Sequence, residues 1–468
     1  MRLTQYSVPT AIGLAGMLAF VAGCGQEPAE PTQASPASST AEATAGGDRY
    51  LVLFKQSKTG AGVSATALST DMARLGGKIE RNQAEIGVMQ VRMTASAAGQ
   101  LKQRVDVEAV VQDRRVNWLP PGEKVAEDTR RFTGESNQRS AAFFDFQWNL
   151  RRIKAPQAWD TGAQGQGTMI CILDTGVDPR HIDLAGKLNT GASASFVSTE
   201  RADRDLDLHG TAMASIATSN GLGIASVAPD AGLCSVKVLD KTGSGTFGDV
   251  TAGIMYVGDV GRVDGGRRVT VANMSLGSLL PASDPDVQAL AEIMQRAVNY
   301  STRRGVLFVA SSGNEATNLN NPDVIHLPSS LDNVISVGAT GPIGQTRFDH
   351  VASYSNFGQR GTDVFAPGGE FAFADNVLAD LILAACSQSN RVPGFEDCGD
   401  NSYIFLAGTS PAAAHVSGEA ADIESALPGD QSPAELTACI LNSADALPNP
   451  AKTGHGRINV LRGLSCPS

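Results

Sequence analysis

Two rhythms of apolar and polar positions run along this chain. From residue 48 onward, short strand-like and helical patterns follow one another closely. Tyr50-Leu51-Val52-Leu53-Phe54 has the length and β-branched or aromatic content of a strand, and residues 69–75 read as a short helix. Strand-like runs follow around Ile79 and across residues 86–93, then a helical stretch over 97–105 and a last strand over 107–111. The order βαββαβ predicts a small ferredoxin-like α+β unit over residues 48–118. From Gln147 the segments lengthen. Strands are expected near 168–173, 233–239, 269–274, 306–310 and 334–338, with helices from His209, across 248–261 and across 285–304. Alternation of this kind predicts an α/β fold with a parallel sheet between helices. In such sheets reactive groups gather beyond the carboxyl ends of the strands.

Composition narrows the class. A chain of 468 residues exceeds one compact core and predicts two domains with appendages. Hydrophobic content of 42% and charged content of 18% are those of a globular protein, and a net charge of −11 argues against nucleic acid as a partner. The N-terminus reads as an export signal: Arg2 precedes an apolar stretch over 11–23 that is short for a membrane span. It ends in Val21-Ala22-Gly23-Cys24, which resembles a bacterial lipobox and makes Cys24 the expected lipid carrier. Residues 1–23 are thus a lipoprotein signal peptide, and 24–47, rich in Pro, Ala, Ser, Thr and Glu, a flexible tether. A polar connector over 119–143, opening with Leu119-Pro120-Pro121-Gly122, joins the small unit to a large domain over 144–468. Of the seven cysteines, six remain besides Cys24, an even set in an exported chain. Cys386 with Cys398, and Cys439 with Cys466, are plausible bridges; Cys171 and Cys234, inside predicted strands, are either bridged or buried thiols.

Four motifs carry chemistry. Gly408-Thr409-Ser410-Pro411 runs into an Ala-rich helix, so Ser410 stands where free backbone N–H groups stabilise negative charge. Asp174 ends the apolar run Ile170-Cys171-Ile172-Leu173, His209 opens His209-Gly210-Thr211, and Asn314 follows Ser311-Ser312-Gly313. Singly, each has an ordinary reading as a cap, a surface histidine or a turn residue. A nucleophile needs a base to take its proton, and histidine is the residue whose unperturbed pKa suits that task.

In the order Asp, His, Asn, Ser, these motifs resemble the subtilisin-like serine proteases, over a span from about residue 48 to the C-terminus. The resemblance implies a three-layer catalytic domain over 144–468 and an inhibitory propeptide over 48–118. It implies that Ser410 is the nucleophile, His209 the general base, Asp174 its orienting partner and Asn314 an oxyanion donor. Gly243-Ser244-Gly245 and Ser275-Leu276-Gly277 match the two family strands that pair with substrate backbone. His326 matches the base of the primary specificity pocket, where a protonated imidazole would favour a carboxylate; the alternative is a histidine turned to solvent. Asp183 matches a calcium ligand, although Phe144 stands where a ligand glutamine is common, so calcium is the one metal in question and no organic cofactor is required. Departures from the family pattern are Ala212 for a histidine, Pro411 for a methionine, and Ala414 for a proline, the last a change that should straighten the Ser410 helix.

The reading is an exported endopeptidase that hydrolyses peptide bonds through an acyl-enzyme and is made as a self-processed precursor. Its partners are protein or peptide substrates and its own propeptide, with membrane contact only through the lipidated precursor N-terminus. The mature enzyme is expected in the periplasm or outside the cell. A catalytically silent peptide-binding scaffold, or an esterase or peptide ligase on the same fold, are the alternatives.

Overall fold

The computed structural model describes residues 47–55, 70, 72–119, 124–128 (backbone alone), 137–261, 266–393, 398–399 and 401–466. The expected signal over 1–23, Cys24, and the tether up to residue 46 lie outside the described residues, as does part of the 119–143 connector.

The first unit contains β1 (Asp48–Phe54), β2 (Lys78–Gln83), β3 (Val88–Met93), α1 (Ala95–Leu101) and β4 (Val107–Gln112). Its strands pair antiparallel in the order β2-β3-β1-β4. This is the order a ferredoxin-like unit requires, and within the first helix expected over 69–75 residues 70 and 72–74 are helical. Alternation along β1 sends its side chains to two places. Val52 and Phe54 join Ala97, Ala98 and Leu101 in the unit's own core. Leu51 and Leu53 face the large domain and share a core with its helices. Two short strands then leave this unit, β5 (Arg115–Asn117) and β6 (Lys124–Asp128).

After two short helices, Trp148–Arg152 and Ala155–Trp159, the large domain continues with β7 (Thr168–Asp174), β8 (Ala194–Ser195), α2 (His209–Ala217), β9 (Gly232–Lys237), β10 (Ser244–Thr246) and α3 (Phe247–Val260). Next come β11 (Arg268–Met274), β12 (Ser278–Pro281), α4 (Pro285–Thr302), β13 (Leu307–Ser311), β14 (Val324–Leu327), β15 (Val334–Thr340) and β16 (Val364–Pro367). The chain closes with β17 (Ile382–Ala385), β18 (Tyr403–Ala407), α5 (Thr409–Ala426) and α6 (Pro433–Ser443), followed by short turns. Seven strands form one parallel sheet in the order β16-β15-β13-β11-β7-β9-β8.

Every residue of β7 is buried, which is why its sequence is continuously apolar rather than alternating. Its even and odd positions serve different layers. Met169, Cys171 and Leu173 pack with α3 and α4, while Ile170 and Ile172 pack with α2 and β17. This three-layer α/β architecture is the fold class expected from the alternation of segments.

Helix α4 starts where Asp284 caps the N–H of Asp286 and Pro285 takes the first turn; its apolar stripe runs Val287, Leu290, Ile293, Met294, Ala297, Val298. Helix α5 is buried almost all round, and its run of alanines lets it lie close beneath the sheet. Cys171 and Cys234 sit opposite each other in the β7–β9 register and are disulfide-bonded, which resolves the open choice between bridge and thiols. Cys386–Cys398 and Cys439–Cys466 are bonded as expected. Closing loops this short contributes about 3 kcal/mol each in the chain-entropy model.

Candidate active site

The carboxyl ends of β7, β11 and β13 and the N-termini of α2 and α5 converge on one spot. Asp174, the last residue of β7, is fully buried. Both its oxygens lie 2.9 Å from His209 Nδ1, and Oδ1 also accepts the Thr175 N–H at 2.7 Å. An imidazole that donates from Nδ1 to a carboxylate keeps its basic nitrogen at Nε2. Asp205 locks the two loops together. It accepts Thr175 Oγ1 at 2.9 Å on one oxygen, and Thr211 N–H and Oγ1 at 2.9 and 2.6 Å on the other. Burial pushes the neighbouring Asp207 carboxyl, which accepts the His209 N–H at 3.1 Å, up to about 7.

Ser410 occupies the first turn of α5 and is fully buried; its hydroxyl donates to the Ser275 carbonyl at 3.4 Å. Helix α5 runs unbroken through Ala414. One turn on from Pro411, His415 donates from Nδ1 to the Pro411 carbonyl at 2.7 Å and accepts Asn149 Nδ2 at 2.7 Å. Burial lowers His415 to about 4, so it holds the helix as a neutral ring. Asn314 is fixed by its oxygen alone: Oδ1 accepts the Thr409 N–H at 2.9 Å and Thr409 Oγ1 at 2.8 Å. Its amide nitrogen is buried and has no partner. Leaving such a donor unpaired costs about 1–3 kcal/mol unless something arrives to accept from it.

The chain's own residues flank this spot on both sides. Strand β5 pairs antiparallel with β10, setting Asn117 opposite Ser244 and Val116 opposite Gly245. Trp118 N–H donates to the Gly243 carbonyl at 2.9 Å, and Gly277 N–H donates to the Trp118 carbonyl at 2.8 Å. The Trp118 ring is fully buried against Phe247, with its Nε1 on the Gly245 carbonyl at 3.1 Å. Gly243 takes φ of +69° and leaves room for Leu119, as a side chain could not. On the other side, β6 pairs antiparallel with β18, with Lys124 opposite Ala407, three residues before Ser410. Gly243, Ser244, Gly245 and Gly277 thus already hold an extended peptide. Leu276 is buried in the core beneath it, and Ser275 Oγ donates to the Ser410 carbonyl at 2.8 Å.

His326, on β14 opposite Leu279 of β12, is fully buried rather than turned to solvent. Its ring fills the gap between Gly277 and Gly313, where a Cβ on either residue would collide with it. Nδ1 lies 2.8 Å from Ser329 Oγ, and Nε2 is buried without a partner. Burial lowers its pKa to about 3, so the ring is neutral, and the expected preference of an imidazolium for a carboxylate does not hold.

Asp183 does not fit a calcium ligand. Its oxygens accept the N–H groups of Leu222 at 2.7 Å, Gly223 at 3.1 Å and Ile224 at 3.0 Å, and the Tyr403 hydroxyl at 2.7 Å. Donors occupy the acceptor sites a cation would need. Phe144 plays no part in this loop; Gln138 reaches it, with its amide between Ser219 O and Ser226 N–H. Among the described residues no group of three or more His, Cys, Asp or Glu is gathered as for a metal. Asp205 and Gln138, and the part Thr409 plays in holding Asn314, escaped the sequence reading. Asp205 lies four residues before His209, the one signal that could have singled it out.

Comparisons with known proteins bear on this geometry. A family model described as the Subtilase family matches residues 165–459. The thermophilic serine proteinase of Bacillus sp. (strain AK1) is 32% identical over 361 residues, 76% of this chain and 75% of its own length. Thermitase of Thermoactinomyces vulgaris is 32% identical over 329 residues, 69% of this chain and 97% of its own. The crystal structure of the epidermin leader peptide processing serine protease of Staphylococcus aureus overlays with a TM-score of 0.70 at 22% identity. It covers 90% of this chain and 98% of that one, a likeness of fold.

Proposed function

Because this chain belongs to the subtilase family and is a subtilisin-like serine protease, we propose that Ser410, His209 and Asp174 carry out its peptide hydrolysis. Ser410 Oγ attacks the scissile carbonyl as His209 Nε2 takes its proton. Asp174 holds the imidazole tautomer and stabilises the ring once it is charged. The oxyanion accepts from Asn314 Nδ2 and from the Ser410 N–H at the start of α5. His209 returns the proton to the leaving amine, and water then releases the acyl group by the same route. The observation that carries this reading is the Asn314 amide: pinned by its oxygen to the residue before Ser410, it keeps a buried donor in reserve.

Residues 48–118 act as the propeptide in this reading. Strand β5 reaches the site along β10 and Gly277, and β6 leaves it along β18. The maturing cut therefore falls between Leu119 and Lys124, a narrower window than the whole connector. A cut directly after Leu119 is disfavoured, because Pro120 lacks the N–H that backbone pairing uses. The cut frees the enzyme from a lipid on Cys24, so mature protein is soluble outside the cytoplasm while the precursor stays at the membrane. Ser410→Ala tests both parts. Purified variant should remain full-length by mass, fail to hydrolyse casein and stay with the membrane on fractionation. A variant that still matures when pure overturns the assignment.

His326 is the floor of the primary specificity pocket and reduces its depth. Cleavage after large aromatic residues should be poor in wild type and improve in His326→Gly, read by a peptide-library profile. An unchanged profile removes His326 from this role.

A further inference from the structure

One patch of surface opposes the charge of the whole molecule. The chain carries a net charge of −11, yet Arg180, Arg201, Arg204 and Arg391 line a single cleft of about 330 Å³. Two of the four have carboxylate partners: Arg180 forks onto Asp178 at 2.9 and 2.6 Å, and Arg201 pairs with Asp203. Among the described residues no carboxylate pairs with Arg204 or Arg391. Arg204 and Arg391 are both exposed, so their charge is open to a ligand.

The cleft is built on the active-site loops. Arg180 lies six residues after Asp174, and Arg204 five before His209. The third wall is bonded to the loop before His209, with Arg391 N–H on the Leu206 carbonyl at 2.8 Å and Ser387 Oγ on the Asp205 carbonyl at 2.6 Å. Arg180 reaches the same wall, donating to Ser389 Oγ at 2.5 Å. That wall continues from β17, which pairs with β18, and the far edge of β18 carries β6. It thus belongs to the side of the site where the chain departs, not to the side of β10 and Gly277.

We propose that this cleft binds carboxylate side chains on the C-terminal side of the scissile bond of peptide substrates, a role that rests on the peptidase reading above. Guanidinium groups match carboxylates in charge and in the spacing of their donors. The protein's own departing segment has this chemistry: Glu123, Glu127 and Asp128 lie within six residues that hold a single lysine. Long-range attraction to such segments would raise the rate of encounter more than the chemical step.

The test uses protein from full-length expression and two peptides alike up to the scissile bond. One carries Asp and Glu at the third to fifth positions beyond it, the other Asn and Gln. Wild type should show about tenfold higher kcat/KM for the acidic peptide, with the gap closing at high salt. Arg204→Glu with Arg391→Glu should reverse the ratio, and Arg391→Gln should reduce it. Equal rates in wild type, or an acidic preference that survives double charge reversal, overturn the cleft. So does competition by inorganic phosphate without any peptide preference, which marks a simple anion site. A chromogenic anilide with no residues beyond the bond reports separately: failure to cleave it, or either peptide, overturns the peptidase reading and the cleft with it.

Discussion

Asp174 and Asp183 stand nine residues apart, both fully buried, and do opposite things with the same functional group. Asp174 turns both oxygens toward one ring nitrogen and accepts one further backbone N–H. Asp183 is saturated by three successive backbone amides and a phenol. Burial is equal, so burial does not tell the two apart. The number and kind of donors does. A carboxylate facing one polarisable partner can follow a charge that appears on that partner; one held by fixed amides can only hold a loop in shape.

The sharpest way to break this contrast is Asp174→Asn, which keeps the shape and removes the charge. It should lower kcat by about 10⁴ with little loss of stability, because the imidazole is released to the wrong tautomer. Steady-state hydrolysis of an anilide and urea unfolding measure the two effects; similar stability loss with full activity would make Asp174 a second Asp183. Next, Asn314→Ala should reduce kcat by about 10²–10³ with KM nearly unchanged, the usual cost of one oxyanion donor. An effect on KM alone would assign the amide to ground-state binding.

Asp183→Ala should do the reverse of Asp174→Asn. It strips partners from four donors and should cost about 3 kcal/mol or more in urea unfolding, while kcat of the remaining folded protein stays within about twofold. After EDTA treatment, added calcium should shift the melting temperatures of wild type and Asp183→Ala alike; a calcium shift that Asp183→Ala abolishes would overturn the reading of Asp183 as filled.

The last test concerns α5, the helix that carries Ser410. Burial raises the Glu419 carboxyl to about 8, well above the value of about 4.3 of an unfolded chain. The folded state therefore holds a proton that the unfolded state gives up. The contribution of Glu419 is fully present below about pH 4 and is lost as pH rises through about 8. Glu419→Gln should flatten the fall of melting temperature between pH 4 and 8, and an unchanged slope would place the sensitivity elsewhere.

The parallel strands were legible because both their faces are covered, which writes burial into the sequence as unbroken apolar runs such as Ile170 to Leu173. The chemical motifs were legible because each sits within a few residues of a strand or helix end. Boundaries in the first unit shifted for local reasons. The strand expected from Ile86 begins at Val88, since residues 84–86 form a tight turn closed by Gly87 at φ +69°. The helix expected to reach Val105 ends at Leu101, and Val105 itself is 89% exposed. What could not be read were partners distant in sequence. The donors to Asp183, the Thr409 grip on Asn314 and the gap that encloses His326 each join segments far apart in the chain. No periodicity records such meetings.

Strands β5 and β6 belong to one continuous chain yet lie to either side of Ser410, and under the maturation proposed above this sets the kinetic order of the cut. An attached segment meets the nucleophile at an effective concentration set by its tether, on the order of millimolar or more, and dilution does not change it. Maturation within one molecule should therefore proceed at the same fractional rate in dilute and concentrated samples. In that proposal the severed unit then becomes an ordinary ligand, and its hold on the enzyme follows free concentration. Dilution would then release activity without having hastened the cut, so the same covalent continuity separates the clock of processing from the clock of activation.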